Sequence, residues 1–291
     1  MNGILVGLGT DDANTELDWA AAEAQTRGAR LQVVRTYHVS EGARPWLADT
    51  DKLILEDRQR AAERRVAEAV SYLTERWPGV EVTAEAVKGL AEDVLIDRSA
   101  DAAVTVLGSR QLGRFGAAAH GSVSTVVAAA AHGPVVVVSH PGAATGTPGS
   151  VIVGVDGSPR EAEVLGFAFD YASRHHRPLN AVYCWRPDLL ATSKWRGEPP
   201  PPERAVRWLA ETVAGWQEKY PDVALQRGVV RDHPVAGLVA ASEGQDLLVV
   251  GSRSRHARVA ALLGSVSQGV LHHAACPVAI IHPGADGVVE G

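Results

Sequence analysis

The chain has 291 residues, 46% of them hydrophobic, and a formal net charge of −6. This length suits two domains of ordinary size, and the negative charge argues against sequence-independent binding of nucleic acid, which requires a basic surface. No apolar run approaches the roughly 20 residues that span a bilayer, so we expect neither nucleic acid nor membrane as a partner. The N-terminus has no basic region before its apolar residues, and Cys184 and Cys276 form no CxxC pair. These features predict a cytoplasmic protein with reduced thiols.

In the first half of the chain, apolar runs alternate with segments of helical periodicity. Polar residues precede several of the predicted helices, and Gly28 and Pro78 follow two of them, as is typical of helix starts and stops. Strands are predicted over residues 4–8, 31–37, 80–87, 104–107 and 135–138, and helices over residues 13–27, 52–77, 92–100 and 122–131.

The same series of elements then repeats after residues 141–150, a segment rich in glycine and proline that predicts a linker. A polar, proline-rich stretch at 186–202 predicts a loop within the second series. The domains are therefore expected at residues 1–140 and 151–284. Strands are predicted over residues 151–155, 179–185, 223–230, 247–250 and 278–281. Residues 156–159 are predicted to cap a helix that continues to residue 174, and further helices are predicted over residues 203–219, 234–241 and 265–274.

Strands that alternate with helices, some of them continuously apolar, indicate a parallel sheet covered on both faces. The predicted fold class is α/β, with two tandem doubly wound domains, each a five-stranded parallel sheet flanked by helices. In such a fold, ligands bind beyond the carboxyl ends of the strands, where the strand order reverses.

The most informative motif occurs twice, 143 residues apart. Gly108-Ser109-Arg110-Gln111 is followed by Gly121-Ser122-Val123-Ser124, and Gly251-Ser252-Arg253-Ser254 is followed by Gly264-Ser265-Val266-Ser267. Each copy follows an apolar strand and opens a helix, whose first N–H groups and partial positive charge favour phosphate. The serine hydroxyls and the arginines would add donors and positive charge. The alternative is that the glycines only form tight turns and the serines only cap helices.

These two loops, together with Val-Gly-Val-Asp-Gly-Ser at 153–158, resemble the universal stress protein family in its tandem, two-domain form. The resemblance covers essentially the whole chain and implies a fold of the adenine-nucleotide α-hydrolase type. It also implies a site for ATP or a related adenine nucleotide, with Mg²⁺, and a backbone contact from Cys184 to adenine. The residues implicated in the second half are Gly154, Asp156, Cys184, Gly251, Ser252, Arg253, Ser254, Gly264, Ser265, Val266 and Ser267. Those implicated in the first half are Gly7, Gly9, Gly108, Ser109, Arg110, Gly121, Ser122, Val123 and Ser124.

The sequence departs from the family pattern at three positions. The middle glycine of the loop is Gln111 in one copy and Ser254 in the other, and Gly9 stands where the second half has Asp156. We therefore expect the second half to bind nucleotide more strongly than the first. We call the stretches from Gly108 to Gly121 and from Gly251 to Gly264 the first and second Gly loops. The same departures favour the alternative, a non-nucleotide interaction module of the same fold whose Gly loops are only structural.

The remaining motifs do not predict an enzyme. The sequence contains no GxxxxGK[ST], GxSxG or HExxH, so we assign no catalytic or metal-ligating residue and leave only slow ATP hydrolysis open. In the resembled family the last strand forms the dimer contact, which implies that strands 135–138 and 278–281 pair the two halves of this chain. A homodimer of the whole chain stays open. The role implied is that of a regulator in the stress response.

Overall fold

A computed structural model of the chain describes residues 3–9, 14–38, 48–109, 122–139, 149–158, 161–185, 202–252 and 263–282. The chain divides into two compact units, Met1–His140 and Pro141–Gly291. In both, parallel strands alternate with helices, which confirms the predicted α/β, doubly wound fold class. The predicted loop at 186–202 and most of the predicted linker lie outside the described residues.

The first half contains a five-stranded parallel sheet in the order β3-β2-β1-β4-β5. Because β1 lies between β2 and β4, the strand order reverses there, and the carboxyl ends of β1 and β4 border a crevice. The elements are β1 (Gly3–Gly7), α1 (Asn14–Arg27), β2 (Leu31–Tyr37), α2 (Ala48–Arg76), β3 (Val82–Lys88), α3 (Ala91–Ser99), β4 (Ala102–Ser109), α4 (Ser122–Ala130) and β5 (Val135–Ser139).

The second half repeats this plan with the strand order β10-β9-β6-β7-β8, again parallel throughout. Its crevice is therefore bordered by the carboxyl ends of β6 and β9. The elements are β6 (Val151–Val155), α5 (Glu161–Arg174), β7 (Leu179–Cys184), α6 (Pro202–Lys219), β8 (Leu225–Val230), α7 (Pro234–Ala241), β9 (Leu247–Gly251), α8 (Ser265–His273) and β10 (Val278–Ile281).

The central strands are almost fully buried, as their apolar runs predicted. Val104 and Val106 on β4 have no exposed surface, and neither do Leu247, Leu248 and Val249 on β9. The helix predicted from residue 52 begins earlier, at Ala48, because the prediction relied on an apolar periodicity that starts only at Leu53. Among the residues that the structure describes, every helix is too short or too polar to cross a bilayer.

A serine at the end of α3 and its counterpart directly after α7 bind the segment that follows the last helix of each half. The hydroxyl of Ser99 accepts from the N–H of His132 at 2.9 Å, and that of Ser242 accepts from the N–H of Ala275 at 3.0 Å. Ser99 also donates to the carbonyl of Ile96, as Ser242 does to that of Val239, at 2.6 and 2.7 Å. The segments that follow the carboxyl ends of α4 and α8 are thereby anchored.

Candidate functional site

The second-half crevice brings the predicted residues of two separate motifs to one edge of the sheet. Val153 on β6 pairs with Val249 on β9, so Asp156 and Ser252 each stand three residues beyond the same point in the ladder. Both strands run in parallel, and both residues therefore follow the carboxyl ends of neighbouring strands. Asp156 and Ser252, which stands at the start of the second Gly loop, thus border the same crevice.

The amino end of α8 has features that favour anions at helix termini in general. Its N-cap residue is Gly264, in an extended conformation with φ −62° and ψ 152°, and the cap makes no side-chain hydrogen bond. A glycine cannot supply a side-chain acceptor to the first-turn N–H groups, so these donors and the helix dipole face the crevice uncompensated by the cap. The hydroxyl of Ser267 donates to the carbonyl of Gly251 at 2.5 Å and holds α8 against the end of β9.

Hydrogen bonds also define the base of the Gly loop. The N–H of Gly264 donates to the carbonyl of Ser252 at 2.9 Å, and the N–H of Ser252 donates to the carbonyl of Ile281 at 2.8 Å. The loop therefore leaves and re-enters the fold at one point, next to β10. The positions of β9 and α8 at the crevice are set by these contacts.

Ser252 carries a polar group that the described part of the chain does not satisfy. The residue is 2% exposed, and its hydroxyl has no hydrogen-bond partner among the residues that the structure describes. Ser109, its counterpart at the end of β4, also has a buried hydroxyl with no partner among the described residues. A buried polar group left unpaired costs about 1–3 kcal/mol, so a ligand oxygen that reached Ser252 would recover this energy.

Asp156 follows β6 directly and is exposed to solvent. Its Oδ1 accepts from the N–H of Ser158 at 2.8 Å, and Gly157 adopts a positive φ of 69°. The N–H groups of Asp156 and Gly157 donate to Oε1 of Glu161 at 2.9 and 2.7 Å. Glu161, which the sequence analysis missed, therefore shapes the turn that presents Asp156. An acid in the first turn of a helix, reaching back to preceding N–H groups, was the available signal.

Cys184 ends β7, the strand next to β6, and its thiol packs against a helix. A Cβ atom built on Gly237 of α7 would lie 2.7 Å from Sγ of Cys184, so the thiol packs beneath that helix. Burial raises the pKa of the thiol to about 11, and the charge of Asp232 adds to the rise. The side chain is therefore a neutral packing group at pH 7, which leaves the backbone for any contact with a ligand.

Two of the predicted glycines have a packing role. A Cβ atom on Gly154 would lie 3.1 Å from Leu238 and 3.3 Å from Val250, and one on Gly7 would lie 2.8 Å from Leu107 and 3.0 Å from Leu95. Each glycine lets a helix from later in the same half, α7 for Gly154 and α3 for Gly7, approach the sheet closely. By contrast, a Cβ atom on Gly9 would meet nothing within 4 Å.

The first-half crevice differs in one charged residue that the sequence analysis did not identify. Glu16 on α1 is only 3% exposed, and a Cβ atom on Gly108 would lie 2.5 Å from its Oε1 and 2.9 Å from its Cδ. A carboxylate thus lies against the glycine that opens the first Gly loop. The signal in the sequence was an acid four residues before Ala20, on the buried face of α1.

Four predicted residues, Arg110, Gly121, Arg253 and Ser254, lie outside the described residues, as does Gln111. Ser122 begins α4, followed by Val123 and the buried Ser124. Ser265 is exposed and Val266 half-buried in the first turn of α8. The predicted residues that the structure does place stand at or just beyond the carboxyl ends of β1, β4, β6, β7 and β9, or in the first turns of α4 and α8.

Comparison with known proteins gives one consistent result. A model of the universal stress protein family matches residues 1–139 and 149–282. A universal stress protein of Mycobacterium tuberculosis is 35% identical over 295 residues, covering 96% of this chain and 95% of that protein. Another, from Mycolicibacterium smegmatis, is 35% identical over 288 residues, covering 97% of each. The crystal structure of a universal stress protein from Archaeoglobus fulgidus has a TM-score of 0.72 at 16% identity and covers 98% of this chain and 97% of its own.

Proposed function

Because the chain belongs to the universal stress protein family, we propose that its second half binds ATP or a related adenine nucleotide, together with Mg²⁺. The observation that carries this proposal is the buried hydroxyl of Ser252, which no described residue satisfies, beside the amino end of α8, whose cap makes no side-chain hydrogen bond. A phosphate would satisfy both the hydroxyl and the helix terminus, because its oxygens accept hydrogen bonds from hydroxyl and N–H donors and its negative charge interacts favourably with the helix dipole.

In this proposal the phosphates bind at the Gly loop, and the nucleoside binds across the crevice. The exposed carboxylate of Asp156 accepts hydrogen bonds from the ribose hydroxyls, and the backbone at Cys184 on the neighbouring strand contacts adenine. The turn held by Glu161 keeps Asp156 at the carboxyl end of β6.

The metal ion would be bound mainly by the nucleotide. Within the described residues, no group of three or more His, Cys, Asp or Glu side chains could hold a metal. Mg²⁺ keeps several waters and commonly binds through substrate phosphates with few protein ligands, so the residues present fit an ion that arrives with the triphosphate. We propose binding without a catalytic step.

We propose that the second half is the stronger site. Gly9 lacks the carboxylate that Asp156 supplies, and Glu16 lies against Gly108 in the first half. The protein would then act in the cytoplasm as a nucleotide-responsive regulator in the stress response. Its two halves would pair through β5 and β10.

Isothermal titration of Mg²⁺-ATP into the full-length protein tests the proposal, after a denatured sample has been checked for carried-over nucleotide. We expect one strong site that Ser265→Asp abolishes, because an acid at the first residue of α8 repels phosphate while suiting the helix dipole. Gln226→Glu, at an exposed position on β8, adds the same charge and should leave the affinity unchanged. Asp156→Ala should weaken binding about tenfold, the loss expected for one hydrogen bond to a charged group.

The alternative is an interaction module whose glycines serve only packing. The close contacts at Gly7, Gly154 and Gly108 favour it, because each of these glycines has a reason inside the fold. The interaction-module alternative predicts no heat on titration with Mg²⁺-ATP and no nucleotide in the denatured sample. Equal affinity in both halves would instead contradict the proposed asymmetry.

A further inference from the structure

We propose that Asp232 recognises the exocyclic amine of adenine by accepting a hydrogen bond from it. The inference rests on the proposed function, because it takes as given that the base lies at the backbone of Cys184. Among the residues of the proposed site, Asp232 would be the one whose side chain contacts the base.

Asp232 lies beside Cys184 at the carboxyl edge of the sheet. Cys184 pairs with Val230 on β8, and Asp232 follows two residues later. A Cβ atom built on Gly237 would lie 2.7 Å from Sγ of Cys184 and 3.7 Å from Cβ of Asp232, so both side chains flank the same point of α7. Burial raises the pKa of the thiol to about 11, and the charge of Asp232 adds to the rise, as a neighbouring carboxylate does. The carboxylate therefore stands close to the backbone position assigned to adenine.

The helix that follows Asp232 lies on the same face of the sheet as α8. A Cβ atom on Gly269 of α8 would lie 2.6 Å from Cγ2 of Val235, in the first turn of α7, and one on Gly154 of β6 would lie 3.1 Å from Leu238. Because β8, β7, β6 and β9 are parallel, the turn from β8 into α7 lies at the same edge of the sheet as the amino end of α8. The proposed positions of the base and of the phosphates are thus on one side of the sheet.

Hydrogen bonds fix the turn that carries Asp232. Its Oδ1 accepts from the N–H of His233 at 2.6 Å, and Nδ1 of His233, the N-cap of α7, accepts from the N–H of Val235 at 3.2 Å. Asp232 is exposed, and the described residues leave its Oδ2 without a hydrogen-bond partner. An ionised carboxylate oxygen only accepts hydrogen bonds, so Oδ2 suits an amine and disfavours a carbonyl oxygen.

The first half has no acid at the matching position. The N-caps of α3 and α7 are Leu90 and His233, which are 143 residues apart, as the two Gly loops are. Gly89 precedes Leu90 as Asp232 precedes His233. A carboxylate at this position is therefore confined to the second half, where stronger binding of nucleotide is proposed.

Titration of the full-length protein with two nucleotides tests the inference. One is Mg²⁺-ATP, and the other is the Mg²⁺ complex of purine riboside triphosphate, which lacks only the amine of adenine. The wild type should prefer ATP, and Asp232→Asn should reduce that preference about tenfold, the effect of one hydrogen bond to a charged acceptor. Asparagine keeps an oxygen for the N–H of His233 and places an NH₂ donor where Oδ2 stood. Glu243→Gln removes the same charge at an exposed position beyond the other end of α7 and should leave the preference unchanged.

A structural role for Asp232 would instead weaken both nucleotides equally. An unchanged preference in folded Asp232→Asn therefore overturns the inference, while ATP binding by the wild type still supports the proposed function. If the wild type binds neither nucleotide, both proposals fail. If Asp232→Asn does not fold, Asp232→Ser is judged by the same ratio of affinities, because its hydroxyl can still accept from the N–H of His233.

Discussion

Replacing Ser242 by alanine should destabilise the second half through the loss of two buried hydrogen bonds. The residue has no exposed surface, and its hydroxyl accepts from Ala275 at 3.0 Å and donates to Val239 at 2.7 Å. A typical internal hydrogen bond contributes about 0.5–1.5 kcal/mol net. The carbonyl of Val239 also accepts from the helix backbone, so we expect a total loss of about 1.5 kcal/mol, at the lower end for two bonds.

For a unit of this size, that loss corresponds to a fall in Tm of about 3–6 °C. Because two units need not unfold together, amide hydrogen exchange at α8 is the better measurement. Ser99→Ala removes the matching bonds in the first half and should lower protection at α4 instead.

Ser173→Ala provides the control, because its hydroxyl bonds Asp222 at an exposed position. It should change stability by less than about 0.5 kcal/mol. A loss below about 0.5 kcal/mol for Ser242→Ala would refute the reasoning, because it would mean that the hydroxyl does not anchor α8.

Three further outcomes follow from the packing. Gly154→Ala should lower the free energy of unfolding by about 1–3 kcal/mol, since its Cβ would press on Leu238 and Val250. Gly9→Ala is the control, because its Cβ would lie in open space and should change the free energy of unfolding little. Equal losses for the two variants in denaturant titration would contradict the packing role of Gly154. Gly237→Ala should be destabilising and largely rescued by Cys184→Ala, because the clash is with that sulfur at 2.7 Å; an additive double-mutant cycle would rule this out. Cys184 and Cys276 should alkylate far more slowly at pH 8 than a free cysteine, since burial raises their pKa to about 11 and about 12. Their rates should rise with pH beyond pH 9, and fast reaction at pH 8 would show the thiols to be accessible.

Most of the fold could be predicted from the sequence, because local patterns of apolar residues, glycines and prolines predict its helices and strands, and these patterns occur twice. The strands 31–37 and 151–155 and the helix 234–241 were predicted with the bounds observed. The repeated Gly loops marked both crevices, since a parallel sheet places the residues after neighbouring strands at one edge.

The features that separate the two crevices could not be predicted in the same way. The burial of Glu16 depends on how α1 packs on β4, and the unpaired hydroxyl of Ser252 depends on which groups surround it. Gly7 and Gly154 show the opposite problem. The motif associated them with a ligand, but the space that they leave is filled by Leu95 and Leu238. Such contacts arise between segments far apart in the chain, where periodicity and motif spacing carry no information.

The hydrogen bond from Gly264 to Ser252 has a consequence for how this protein can diversify. It joins the two ends of the second Gly loop, so residues can be added or removed between them without moving β9 or α8. Doubling the length of a flexible loop costs only about 0.6 kcal/mol in closure entropy. Insertions at this point are therefore a low-cost route by which evolution, or a protein engineer, could alter what the crevice selects while the supporting sheet stays the same.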